Sequence, residues 1–425
     1  MFTRRTLLKS GAALAAASTM TGLAKPAFAA GTKIKIGYVS PQSGPLSAFS
    51  AADDFMVKKF LDSAAALGLD AEVIVKDSQS NPNRAAEVAK ELISRDEVNL
   101  ILVASTPETT NPVCSVAEQE EIPVISTVAP WQPWFIGQQG NPGDPASWQA
   151  FDYVYHFFWG LEDNVSVFMN MWNSVETNKS VGALWPNDGD GNAWASDVGM
   201  PPALAKAGYA MTDPGRYQNL TDDFSAQINA FKAANCEIMT GIPIPPDFTT
   251  FWTQAKQQGY NPKLVSVAKA LLFPESVAAL GELGHNLTCE VWWSPNHPFK
   301  SSLTGQSAGE LSAEFEQAAG RQWTMPAGFV HALFEVAVDA IKRCEDPTDT
   351  EALAAAIGAT NLDTVVGKVA WGQDNVPEFA RKNIAKTPLV GGQWRRKDDG
   401  SFDLVIVENG NAPEIPLGGT LETLS

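Results

Sequence analysis

The sequence predicts an α/β protein of two lobes, each a mainly parallel sheet covered by helices. Three observations carry this. Apolar runs of strand length alternate with helical periodicities from residue 33 onward. The same alternation restarts after an aromatic-rich stretch. About 396 residues follow position 29, enough for two domains of ordinary size.

In the first half, residues 33–39 read as a strand and end in the loop Ser40-Pro41-Gln42-Ser43-Gly44-Pro45. A helix follows with Phe60, Ala64 and Leu67 on one face and Gly68 as its stop. Residues 71–75 form the next strand. Asn81 and Pro82 then open a helix as N-cap and first helical residue, with Val88, Leu92 and Ile93 inward. Residues 100–104 are a buried strand, 113–121 a helix and 123–126 a strand. Such an order packs as a parallel sheet with helices on both faces.

In the second half, strands are expected at 180–184, 237–240, 263–267 and 289–293. Helices near 195–207, 223–234, 248–258 and 274–283 alternate with them. Residues 328–343 form an amphipathic helix through Leu333, Val336, Ala340 and Ile341. Ligands of open α/β sheets lie beyond the carboxyl ends of strands, so the cleft between the lobes is where a site is expected.

The first 29 residues have the pattern of an export signal. Arg4 and Arg5 precede a short, Ala-rich apolar run, and Ala27-Phe28-Ala29 supplies the small-x-small site of a signal peptidase. Paired arginines before a weakly apolar core match a twin-arginine leader, and the run is too short to span a bilayer. Loss of this segment would take the formal charge from −18 to about −22, which argues against nucleic acid and anionic lipid as partners. Cys114, Cys236, Cys289 and Cys344 have no metal-ligand spacing, and export of a folded chain favours free thiols.

Two motifs are set aside. Gly305-Gln306-Ser307-Ala308-Gly309 fits a hydrolase nucleophile elbow, but no buried strand precedes it, and it is read as a flexible loop. Asp188-Gly189-Asp190-Gly191-Asn192 starts like a calcium loop, yet Ala193 and Gly199 stand where Gly and Glu are needed, so a turn beside the cleft is expected. His156, His285, His297 and His331 have no zinc spacing, and no cofactor motif is present.

Several segments together resemble the branched-chain amino acid-binding family of periplasmic proteins. They are Ile34-Lys35-Ile36-Gly37 with Ser43-Gly44-Pro45, then Asp77-Ser78-Gln79-Ser80-Asn81-Pro82 and Thr109-Thr110-Asn111-Pro112. Pro123-Val124-Ile125-Ser126 and Val366-Gly367-Lys368-Val369-Ala370-Trp371 complete the set. The resemblance implies the type I periplasmic binding protein fold, two Rossmann-like lobes joined by three crossings near 153–160, 293–295 and 371–376. Lobe 1 would comprise 30–156 and 295–372, and lobe 2 would comprise 157–294 and 373–425. It also implies a periplasmic monomer that closes around a small-molecule ligand by hinge motion and serves an ABC permease and ATPase, with no enzymatic activity.

The resemblance further implies that hydroxyls and amides of the first lobe take a ligand carboxylate, which falls on Ser105 and Thr106. A second such segment runs from Ser126 through Val128 to Trp131, with Pro130 where the family has a hydroxyl. In the second lobe the family's acid is replaced near Ala268 and Lys269, and a lysine there would attract an anion. Phe49, Trp131, Trp185 and Phe329 are expected to present rings to the cleft, although most aromatics between 131 and 194 should be core. The expected ligand is a small apolar or aromatic carboxylate; a branched-chain amino acid or amide, or a ligand-sensing role beside a membrane receptor, are the alternatives.

Overall fold

Six strands form the first sheet in the spatial order Ile384–Ala385, Val154–Phe157, Val124–Thr127, Leu100–Ala104, Ile34–Ser40 and Ala71–Asp77. The computed structural model describes residues 33–424, so the expected leader at 1–29 lies outside the described residues. Every neighbouring pair in this sheet is parallel. Its central strand Leu100–Ala104 is buried along its whole length, as a strand covered on both faces must be. The helix Pro82–Ser94 begins as its sequence dictates. The Asn81 side chain accepts from the amides of Asn83 and Arg84, and Pro82 occupies the first turn, where no N–H is missed.

The second sheet runs Phe402–Glu408, Val390–Arg396, Thr288–Val291, Leu264–Val267, Ile238–Gly241, Ser180–Pro186 and Ala210–Thr212. Its inner strands are parallel, but the C-terminal hairpin Val390–Arg396/Phe402–Glu408 joins Thr288–Val291 antiparallel. The sheet is mainly parallel, as expected, with this antiparallel edge added by the C-terminal hairpin. Consecutive strands joined by a short turn through Gly400 (φ +85°) can pair only antiparallel.

The chain leaves the first sheet after Phe157, returns after Val291 and leaves again after Ala385. The third crossing was expected at 371–376, with 373–386 in the second lobe. Instead Ile384–Ala385 pairs with His156 and Phe157 in the first sheet, because the Asn383 side chain bonds Phe151 and Val154 and ties the segment there. The long helix Pro326–Arg343 packs on the first lobe against Asp53–Ala66. Leu67, expected inward, lies past the end of Asp53–Ala66 and is 44% exposed.

Two loop assignments change. Ser307 is the N-cap of helix Ala308–Ala319, not part of a flexible loop. Its hydroxyl accepts from the Glu310 amide while Glu310 accepts from the Ser307 amide, a capping box. The expected turn at 188–192 is likewise the start of a short helix, Gly189–Trp194, capped by Asp188. All four cysteines are free and buried.

Candidate functional site

Strand ends from both lobes meet at one small cavity. The first lobe contributes Phe49, Thr106, Val128 and Pro130, and the second contributes Asp190, Ile242, Lys269, Leu272 and Glu290. Phe158, Trp159 and Trp292, on the first two crossings, close the hinge side. The walls are in contact beyond the cavity as well. Phe49 meets Phe273 edge to face at 4.9 Å, Glu108 accepts from the Gly189 amide, and Gln322 donates to the Phe402 carbonyl at 2.9 Å. In this closed arrangement the cavity measures about 20 Å³, little more than room for a water. Entry of any larger molecule requires the lobes to part.

Backbone strain marks the same place in each lobe. Val128, just past strand Val124–Thr127, has φ +75°, an unfavourable region for a β-branched residue. Lys269, just past strand Leu264–Val267, has φ +62° and ψ −58°, and the Ala270 amide bonds the Ala268 carbonyl at 2.7 Å. That is a three-residue γ-turn of the rare, strained kind. Conformations of this sort cost about 1–3 kcal/mol each and gather where binding needs a side chain aimed against the backbone's preference.

The turn directs Lys269 into buried carboxylates. Its Nζ lies 2.6 Å from Asp190 and 3.7 Å from Asp188. Burial works against the ammonium, but Asp188 and Asp190 outweigh it and raise the lysine above its ordinary pKa. Burial pushes Asp190 up to about 6, against the pull of Lys269. Glu290, whose Oε1 accepts from the Lys269 amide at 3.4 Å, is pushed up by burial to about 8 and holds its proton at neutral pH. The second lobe was expected to lack an acid at the cleft and to offer Lys269 to an anion. Both expectations are corrected: Asp190 and Glu290 line the cavity, and the lysine charge is already compensated.

Of the other expected residues, Phe49, Thr106 and Val128 line the cavity. Four do not. The Ser105 hydroxyl is bonded to Thr109 at 2.5 Å within the first lobe. Trp131 opens the helix Trp131–Ile136 and donates from Nε1 to Glu162 at the hinge, 3.3 Å away. Trp185 lies inside strand Ser180–Pro186 rather than past it, so its ring enters the second-lobe core beside Trp194. Phe329 is fully buried one layer back, edge-on to Phe158 and Trp292 at 5.1 Å each.

Polar atoms on the cavity walls are unusually free. Among the described residues, Thr106 Oγ1, Trp159 Nε1 and Trp292 Nε1 are buried without a partner, and so are Asp190 Oδ1 and Glu290 Oε2. An orphaned buried polar group costs about 1–3 kcal/mol, so five around one cavity need an explanation. They sort by place. Groups able to donate stand on the first lobe and the crossings, where helix Pro107–Gln119 also directs its N-terminus; the carboxyls stand on the second lobe. The site therefore suits a molecule that accepts hydrogen bonds at one end, donates them at the other, and has an apolar body between.

A sequence profile described as periplasmic binding protein matches residues 33–382. Among solved structures, a leucine-binding protein from Thermotoga maritima superposes with a TM-score of 0.70 at 17% identity, covering 89% of this chain and 99% of that one. A branched-chain amino acid transporter substrate-binding protein from Streptococcus pneumoniae, in complex with isoleucine, gives 0.67 at 17% over 89% and 100%. A solute-binding protein of an ABC transporter from Rhodopseudomonas palustris, in complex with 3,4-dihydroxybenzoic acid, gives 0.71 at 16% over 90% and 99%.

Proposed function

Because the chain belongs to the periplasmic binding protein family, we propose that it captures a hydroxylated aromatic carboxylate in the interlobe cleft for an ABC importer. The sorting of unpartnered polar atoms carries the reading. The acid end of such a ligand meets Thr106, the two indole N–H groups and the positive end of helix Pro107–Gln119. Its hydroxyl end donates to the free Oδ1 of Asp190 and accepts from the protonated Glu290 carboxyl. Phe49, Phe158 and Leu272 cover the ring. The 3,4-dihydroxybenzoic acid held by the Rhodopseudomonas palustris protein has this bipolar form. We further propose that the protein acts as a monomer and reaches the periplasm by the twin-arginine route suggested by Arg4 and Arg5.

A branched-chain amino acid is the second reading, favoured by Asp190, whose carboxylate could receive an ammonium group. Calorimetric titration with 3,4-dihydroxybenzoate, benzoate and leucine separates the two. The hydroxylated acid should bind most tightly, benzoate about tenfold to a hundredfold more weakly for want of charge-assisted bonds at the second lobe. Leucine binding with no response to either benzoate would reverse the order of the two readings.

A further inference from the structure

We propose that a second cavity, behind the hinge, binds a small zwitterionic solute and thereby holds the cleft closed. This cavity measures about 500 Å³, the size of ordinary small-molecule sites. Its floor is the third crossing, Lys386 to Leu389. Lys300 and Asn375 face it from the first lobe, and Asn411 and Glu414 from the second. A molecule here touches both lobes and the strand that joins them.

The charges on its walls select the ligand. Lys386 is engaged by Glu162 and Asp163, at 2.8 Å each, and Lys368 pairs with Asp363 at 3.0 Å. Lys300 and Glu414 line the cavity and join no ion pair among the described residues. The hydroxyl of Thr387, also on the wall, is buried without a partner among the described residues. One uncommitted ammonium and one uncommitted carboxylate suit a ligand that bears both charges. A simple anion would be opposed by Glu414 and a simple cation by Lys300.

Its place makes it a lever. The cleft cavity borders the first two crossings through Phe158, Trp159 and Trp292, whereas this one borders the third. Rotation about the hinge that parts the lobes at the cleft brings the walls behind the hinge together. An occupant there resists opening, and by linkage a cleft ligand tightens the rear site by the same factor. The proposal rests on closure of the lobes and not on which solute the cleft takes.

Proline and glycine betaine are suitable probes, titrated into the mature protein by calorimetry and followed by small-angle scattering without any cleft ligand. Binding should occur with a fall in radius of gyration. Lys300→Ala and Glu414→Gln, both at exposed positions, should each weaken it about tenfold, as expected for loss of one charge-assisted contact. Asn375→Trp, which fills the cavity, should abolish probe binding and leave the protein compact. The proposal is overturned if neither probe binds, if both charge variants bind as well as the parent, or if binding leaves the radius unchanged. Because 3,4-dihydroxybenzoate is absent from these titrations, a failure of the cleft assignment leaves their outcome unaffected.

Discussion

Replacing Lys269 with methionine removes the cation that pairs with two buried carboxylates while keeping the length of the side chain. Lys269 and Asp190 side chains are 4% and 2% exposed, and their charged atoms are 2.6 Å apart. Removing one partner of a buried pair leaves an uncompensated charge, which costs about 3–5 kcal/mol. Asp190 can escape part of this by holding its proton, since burial already pushes it up to about 6. At pH 5 the cost should therefore be smaller than at pH 8. For a chain of this size the loss corresponds to a melting temperature lower by roughly 4–6 °C at the higher pH. The double variant Lys269→Met/Asp190→Leu removes both charges and should recover most of the loss. Urea unfolding of the parent, both single variants and the double variant gives the coupling energy. A coupling below about 1 kcal/mol, the range of exposed pairs, would refute the compensated pair. Lys269 would then be free to meet an anionic ligand directly.

Three further outcomes follow from the geometry. Glu290 is raised to about 8, and Asp53 and Glu335 to about 7, each chiefly by burial, so each binds a proton in the fold that the unfolded chain has already lost. Their contribution is fully present below the unfolded values of 3.8 to 4.5 and is lost progressively as pH rises to the folded ones; thermal melts should fall from about pH 5 to about pH 8 and level off above, and Glu290→Gln should flatten the upper part of the decline. Glu108→Ala deletes the interlobe bond to the Gly189 amide and should leave the radius of gyration larger at subsaturating ligand; an unchanged closure curve would show the contact to be idle. At Gly328 a Cβ would collide with the Trp293 ring, so Gly328→Ala should destabilise by about 1–3 kcal/mol in urea titration, and an unaltered midpoint would mean the ring can shift.

Strand and helix identity in the first lobe was legible because parallel strands buried on both faces read as unbroken apolar runs, as in Leu100–Ala104. The C-terminal hairpin was not, since Val390–Arg396 has two glycines directly after Val390 and two arginines at its end. At the site, Thr106 and Val128 could be located by the rule that ligands lie past strand ends. The same rule applied to Ser180–Pro186 points to Asp188 and Asp190, which were passed over once the calcium-loop comparison failed. Glu290 announced itself as a lone acid in the run Thr288-Cys289-Glu290-Val291-Trp292-Trp293. Its meaning depends on Lys269, twenty-one positions earlier, and on the γ-turn that aims that side chain. Such a pairing is set by tertiary contact and leaves no local pattern. Trp185 shows the converse error, a ring placed at the cleft because its strand was drawn two residues short.

The seclusion of all four thiols has a practical consequence for watching this molecule work. Native cysteines would be shielded from maleimide dyes in the folded protein, so none needs to be removed before labelling. Leu67 on the first lobe and Leu417 on the second are 44% and 54% exposed, and cysteines placed there would carry a donor and acceptor fluorophore pair. Energy transfer between them would follow the opening and shutting of individual molecules in real time, turning the receptor into its own optical gauge of solute concentration.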